Sequence, residues 1–148
     1  MTEPATPSDW ARTWIGGSTR DEITVAGRDL PAWLGEGLAE YFERPSGGRG
    51  PTAGEYAVLR RLVETGRWIP LEQLWGPTFA GFDEFSASAA YLESLALVSH
   101  LARLRGERAL GRMCRDLEHS HLDRSMHRQF GLSPAELEQA VIRSLVGG

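Results

Sequence analysis

A helical spacing of apolar residues that contains two glycines is the feature that most constrains this chain. Between Leu30 and Glu43, apolar residues at 33, 34, 38, 41 and 42 follow a helical period, and Pro31 stands where a first turn tolerates proline. Gly35 and Gly37 flank Glu36, and each costs about 1 kcal/mol relative to alanine inside a helix. Helix glycines usually let another backbone or a ligand come close. Glu36 is therefore the first candidate for a functional site.

A second interpretation of the same stretch remains open. Glu36, Glu40 and Glu43 are spaced at i, i+4 and i+7, so that they share one side of the predicted helix. A solvated acidic face has the same spacing, and spacing alone favours that interpretation.

Most of the remaining chain also predicts helices. Thr52 and Glu55 form a capping-box pattern before a helix that closes at Gly66, and Ser133 and Glu136 repeat the pattern before the last helix. The longest helix is predicted over 84–104, and another over 107–118. The sequence therefore predicts a mainly α fold, a compact bundle of about five to six helices.

The N-terminal region is predicted separately. Residues 1–8 are polar and contain proline, which is typical of a flexible tail, and 9–148 are expected to form a single domain. Trp10, Trp14 and Ile15 give a short helical signal, and residues 22–26 favour one short strand, which would need an edge or a second copy to pair with.

Composition narrows the partners and the compartment. The 148 residues carry a net charge of −4, and all 16 basic residues are arginine. Arginines between 103 and 115 form a basic patch interrupted by acidic residues, which we interpret as solvated surface rather than a nucleic-acid site. Cys114 is the single cysteine, no apolar run is long enough to cross a membrane, and no signal peptide is evident. We expect a cytoplasmic protein without nucleic-acid or membrane partners.

One further cluster has metal-binding residue types. Cys114, Glu118 and His121 would share a helical face if the helix starting at 107 continued that far. Ser120 and Asp123 indicate a helix boundary instead, and the spacing matches no common metal site. No metal and no cofactor are therefore predicted.

At Leu-Pro-x-Trp-Leu-x-Glu-Gly-Leu-Ala-x-Tyr-Phe, residues 30–42, the chain resembles the segment that carries the glutamate zinc ligand in gluzincins, specifically bacterial peptidase-MA-like domains. Further likenesses follow in the same order and extend the resemblance over roughly 22–146. They are Ile69-Pro70-Leu71-Glu72-Gln73-Leu74, Tyr91-Leu92-Glu93-Ser94-Leu95, and Phe130-Gly131-Leu132-Ser133-Pro134-Ala135-Glu136-Leu137-Glu138.

The resemblance implies residue roles and also a loss. Glu36 matches the zinc-binding glutamate, and Tyr91 matches a tyrosine that stabilises the charged intermediate, although the spacing of Tyr91 itself favours an ordinary core residue. The family's groove is predicted to be lined by Trp33, Glu40, Trp75 and Ser94. The chain lacks the His-Glu-x-x-His helix that supplies the other zinc ligands, and no histidine precedes His100.

Three functions follow from this resemblance. The preferred one is a degenerate peptidase-like domain that binds a protein or peptide, with a partner protein or a second copy covering the surface left by the missing helix. The second is a metal-free enzyme in which Glu36 is a general base and Tyr91 an acid or oxyanion donor, acting on a small molecule. The third is half of a zinc peptidase, completed by another chain.

Overall fold

The computed structural model describes residues 30–117 and 119–147, and within these ranges the chain is helical, without strands. The α-helices are α1 (Ala32–Glu43), α2 (Ala53–Glu64), α3 (Glu84–Arg105), α4 (Glu107–Asp116), α5 (Leu122–Phe130) and α6 (Pro134–Gly147), and a 3-10 helix spans Leu71–Leu74. The predicted helical bundle is confirmed. The predicted tail at 1–8, the helical signal at 10–15 and the strand at 22–26 lie outside the described residues.

The most extensive contact between helices joins α1 to α3, and Gly37 makes it possible. A Cβ atom at Gly37 would lie 2.5 Å from the backbone oxygen of Ser94 and 2.6 Å from Cγ2 of Val98. On α3, the small buried residues Ala89 and Ala90 belong to the same core. The close approach predicted from the helix glycines is therefore the backbone of α3, which packs directly against α1.

Helix α3 is the central element of the bundle, because it contacts α1, α2, α4, α5 and α6. Every residue from 93 to 99 is buried, so the middle of α3 has no solvent-exposed face. Phe85 and Leu104 belong to the apolar residues of this helix by spacing, but they lie near its two ends and are 55% and 44% exposed.

Both capping boxes predicted from the sequence are present. At the start of α2, the Glu55 amide donates to Thr52 Oγ1 at 3.1 Å and the Thr52 amide donates to a Glu55 carboxylate oxygen at 2.9 Å. Ser133 and Glu136 make the same pair of bonds before α6, at 3.1 and 2.8 Å. These bonds satisfy amides that a helix start leaves without partners.

The loop between α1 and α2 is fixed at both ends and open at its tip. The guanidinium of Arg44 donates to both carboxylate oxygens of Glu55, at 2.6 and 3.0 Å. Arg49 lies over the Phe42 ring, 4.9 Å from its centroid, and pairs with Glu107 at 3.1 Å. Gly47 and Gly48 have open space around them.

Candidate functional site

The structure brings Glu36, Glu40 and Tyr91 together on one face, called here the Glu36–Tyr91 face. Glu36 and Glu40 lie one turn apart on α1 and are partly exposed, while Tyr91 on α3 is 39% exposed. The close contact between α1 and α3 at Gly37, called here the α1–α3 seam, holds these two helices against each other. The tyrosine ring is supported from below by Phe79, edge to face, with ring centroids 5.2 Å apart.

The charges on this face act on each other. Partial burial, followed by the neighbouring charges of Glu40 and Glu43, raises the pKa of Glu36 above its ordinary value. Burial and then the charges of Glu36 and Glu40 raise the pKa of Tyr91. A carboxylate with a raised pKa holds a proton more readily, and a tyrosine with a raised pKa remains a hydrogen-bond donor. The face can therefore accept hydrogen bonds through its carboxylates and donate one through the phenol.

The four residues predicted to line a groove do not surround one opening. Trp33 and Ser94 are fully buried, and the Ser94 hydroxyl donates to the backbone oxygen of Ala90 at 2.7 Å. Trp33 packs against Trp75, with ring centroids 6.1 Å apart. Glu40 is partly exposed on the Glu36–Tyr91 face. Trp33 and Ser94 therefore do not reach the protein surface, because the close approach of α1 and α3 encloses the residues between them.

Trp75 lies at the surface and borders two neighbouring openings. It is 36% exposed and borders a groove of about 520 Å³, called here the Trp75 groove, between the 3-10 helix and the starts of α5 and α6. The apolar part of its lining is Pro70, Leu71, Trp75, Pro134 and Ala135, and its charged side chains are Glu72, Asp123 and Glu138.

The segment that carries Trp75, residues 68–75, is held by two glutamates from other helices. Glu138 on α6 accepts, at its Oε2 atom, the indole N–H of Trp68 at 2.9 Å and the amide of Leu71 at 2.8 Å. Glu93 on α3 accepts the amide of Ile69 at 2.9 Å. Carboxyl groups thus satisfy three N–H donors of a segment that has only one short helix of its own.

Glu93 is the most perturbed acid in the described part of the chain. It is fully buried, and its Oε1 atom has no hydrogen-bond partner there. Burial, opposed by the Ile69 amide and reinforced by the charge of Glu138, raises the pKa of Glu93 to about 8. Sequence reasoning missed this residue. The available signal was that Glu93 is the one Asp, Glu or Arg between Glu84 and Arg103.

The residue types typical of metal sites are dispersed. Helix α4 ends at Asp116 and α5 begins at Leu122, so Cys114 lies within α4 whereas His121 lies beyond its end, as the predicted boundary required. Cys114 is buried, His121 is exposed, and Glu118 lies outside the described residues. Among the residues described, no group of three His, Cys, Asp or Glu side chains is arranged to hold a metal ion.

Two arginines of the predicted basic patch donate hydrogen bonds to other side chains of the protein. Arg103 donates to the Tyr56 hydroxyl and to Ser99 Oγ, both at 2.9 Å, and Arg112 donates to the Gln129 side chain at 3.0 Å. Partners within the protein therefore take up part of the hydrogen-bonding capacity of these two arginines.

Comparisons with protein-family models, with curated proteins and with solved structures returned no match. None of the helices in the described ranges is both long enough and apolar enough to cross a membrane.

Proposed function

We propose that this chain is a degenerate, gluzincin-like helical domain that binds a segment of a partner protein on the Glu36–Tyr91 face. The observation that carries the proposal is the seam at Gly37, which sets a partly exposed carboxylate beside an exposed tyrosine. These are the two side chains that the family resemblance singles out. The sequence contains no His-Glu-x-x-His motif to complete a zinc site around Glu36.

The chemistry of the face suits an extended peptide. Glu36 and Glu40 are hydrogen-bond acceptors for backbone amides or basic side chains, and the Tyr91 hydroxyl is a donor for a carbonyl. Tyrosine also offers a rigid ring with little side-chain entropy to lose on binding. The proposal places the domain in the cytoplasm, in keeping with its one cysteine.

The partner is proposed to cover the surface that the missing helix would occupy, and a second copy of this chain is the alternative occupant. Sedimentation of the purified chain separates the two. A monomer requires a different protein as the partner, whereas a dimer lost on Tyr91→Ala identifies the second copy.

A second candidate function is favoured by the raised pKa of Glu36. Burial and two neighbouring carboxylates bring this group closer to the range in which a carboxylate works as a general base, with the Tyr91 hydroxyl as acid or oxyanion donor. The substrate of such a metal-free enzyme would be a small molecule. Incubation with a metabolite mixture, followed by mass spectrometry, should reveal a conversion that Glu36→Gln abolishes.

Selection from a random peptide library tests the binding function directly. Peptides enriched on the wild-type chain are synthesised and titrated by calorimetry against the wild type, Glu36→Gln and Tyr91→Phe. We expect each variant to bind roughly tenfold more weakly, because Glu36→Gln removes the negative charge that strengthens a hydrogen bond to the carboxylate and Tyr91→Phe removes a hydrogen-bond donor. The matched control is Glu64→Gln, which neutralises an exposed acid on α2.

Two results would overturn the proposal. One is the absence of any peptide enriched above a selection on bare resin. The other is enrichment of peptides whose affinity is the same for both variants and the wild type, since the peptides would then bind elsewhere.

A further inference from the structure

We propose that the Trp75 groove is a second binding site, which takes an arginine side chain from an extended segment of another protein. This surface is separate from the Glu36–Tyr91 face and is tested by its own variants. Three features of the groove favour this ligand, namely the exposed indole, the unbalanced charge around it and the rigidity of the walls.

The indole of Trp75 supplies a flat aromatic surface. The residue is 36% exposed, although its neighbour Trp33, 6.1 Å away between ring centroids, is fully buried. A guanidinium group stacks on an exposed tryptophan face through cation–π attraction. It stacks better than an ammonium group because it is planar and loses less hydration. The volume of about 520 Å³ accommodates an arginine side chain with its flanking backbone.

The charge in the groove is negative and not neutralised from within its lining. Glu72, Asp123 and Glu138 line it, and no basic residue within 30–117 or 119–147 does. Arg124 follows Asp123 in the sequence and lines the adjoining pocket, which Trp75 and Asp123 also border, but it does not line the Trp75 groove. Other acids in the described ranges have arginine partners, such as Glu55 with Arg44. The complementary ligand is therefore a cation.

The walls of the groove are held in place before any ligand arrives. One oxygen of Glu138 accepts the Trp68 and Leu71 N–H groups, which leaves Oε1 for a ligand. The Ser133–Glu136 capping box fixes the start of α6, where Pro134 and Ala135 form one wall. Preformed walls lower the entropy cost of binding, so a single arginine with modest contacts can bind measurably.

The test uses a pair of capped pentapeptides, Ala-Ala-Arg-Ala-Ala and the same peptide with citrulline, which keeps the shape of arginine without its charge. Both are titrated into the full chain, and binding is followed by calorimetry and by the NMR signal of the Trp75 indole N–H. That signal is assigned from its absence in Trp75→Phe. We expect only the arginine peptide to shift it, and expect its affinity to fall as salt concentration rises.

Variants locate the site. Asp123→Asn and Glu72→Gln should each weaken binding of the arginine peptide roughly tenfold, whereas Glu64→Gln should leave it unchanged. These two substitutions retain the indole and its packing against Trp33, so they remain informative if Trp75→Ala unfolds the segment.

Several outcomes overturn the inference. They are equal binding of the citrulline peptide, no binding of either peptide to the wild type, and binding that neither Asp123→Asn nor Glu72→Gln weakens. Self-association of the chain that Asp123→Asn abolishes also overturns it, because the occupant would then be a second copy. None of these results bears on library peptides that bind the Glu36–Tyr91 face.

Discussion

Helix α1 and the 68–75 segment both contact α3, but different interactions hold them in place. At the seam, the absence of a side chain at Gly37 lets two backbones meet, and the contact contains no ionisable group at that point. The 68–75 segment is instead held by the carboxyl groups of Glu93 and Glu138. The first contact depends on shape, and the second depends on protonation.

The two contacts should therefore respond differently to a change of pH. Close packing is insensitive to pH, whereas a buried carboxyl group with a raised pKa couples stability to pH. We therefore expect the seam to set the fixed geometry of the Glu36–Tyr91 face, while the wall of the Trp75 groove loosens under alkaline conditions.

The largest effect is expected at Glu93. Its pKa is about 8 in the fold and 4.5 in the reference state, so the folded chain holds this proton more tightly. The resulting stabilisation is complete below the reference pKa of 4.5 and is lost as pH rises through the folded-state pKa of about 8. Over this range the wild type should lose roughly 3–5 kcal/mol of unfolding free energy relative to Glu93→Gln, which has no proton to lose.

Urea unfolding of both chains at a series of pH values measures this difference. Parallel stability curves for the wild type and Glu93→Gln would contradict it, because they would show that Glu93 does not titrate differently in the fold.

Gly37→Ala tests the seam. The added methyl group would stand 2.5 Å from the Ser94 backbone oxygen, and backbone cannot yield as a flexible side chain does. We expect a loss of about 2 kcal/mol in unfolding free energy, with the overpacking outweighing the gain in helix propensity. The control is Gly54→Ala on α2, where the nearest atom is the Thr52 hydroxyl oxygen at 3.9 Å, and it should stabilise the chain slightly. Equal changes in the two variants would refute the steric argument.

Ser133→Ala should have a smaller effect near the Trp75 groove. It removes the side-chain acceptor for the Glu136 amide at the start of α6, and loss of such a cap costs about 1 kcal/mol. Thermal unfolding measures the change. Ser144→Ala, which removes a hydroxyl from the same helix far from its start, is the comparison, and an identical shift would argue against a capping role.

The smallest effect is expected from Glu138→Gln. The amide oxygen can still accept from Trp68 and Leu71, but the charge that raises the pKa of Glu93 is removed. The pKa of Glu93, followed by NMR of its carboxyl carbon, should therefore fall slightly. Glu72→Gln serves as the control, and a Glu93 titration curve unchanged by Glu138→Gln would show that the two carboxyl groups are not coupled.

Sequence reasoning succeeded where structure is set by neighbours along the chain. The capping boxes at Thr52 and Ser133 depend on residues three positions apart, and both are present. The role of Gly37 was also predictable, because a glycine that weakens a helix implies a close neighbour. The identity of that neighbour, the Ser94 backbone, depends on tertiary packing and was not predictable.

Reasoning from helical period failed on α3 for a physical reason. A helix packed on all sides has no preferred apolar face, so periodicity could not separate the exposed Phe85 and Tyr91 from the buried Glu93. The same limit hid the carboxyl pair, since Glu93 and Glu138 are 45 positions apart and are brought together only by tertiary packing, where both accept hydrogen bonds from the 68–75 segment. Glu36 was named because two glycines flank it in a predicted helix, whereas Tyr91 was named from the family resemblance alone.

The open tip of the α1–α2 loop has a practical consequence. Arg44 and Arg49 anchor the loop on either side, while a side chain added at Gly47 or Gly48 would meet no atom within 4 Å, and no residue of this loop lines the Trp75 groove. A cysteine for a dye, or a short affinity tag inserted between the two glycines, should leave the fold undisturbed. Such a label would report partner capture from a position outside both proposed contact surfaces.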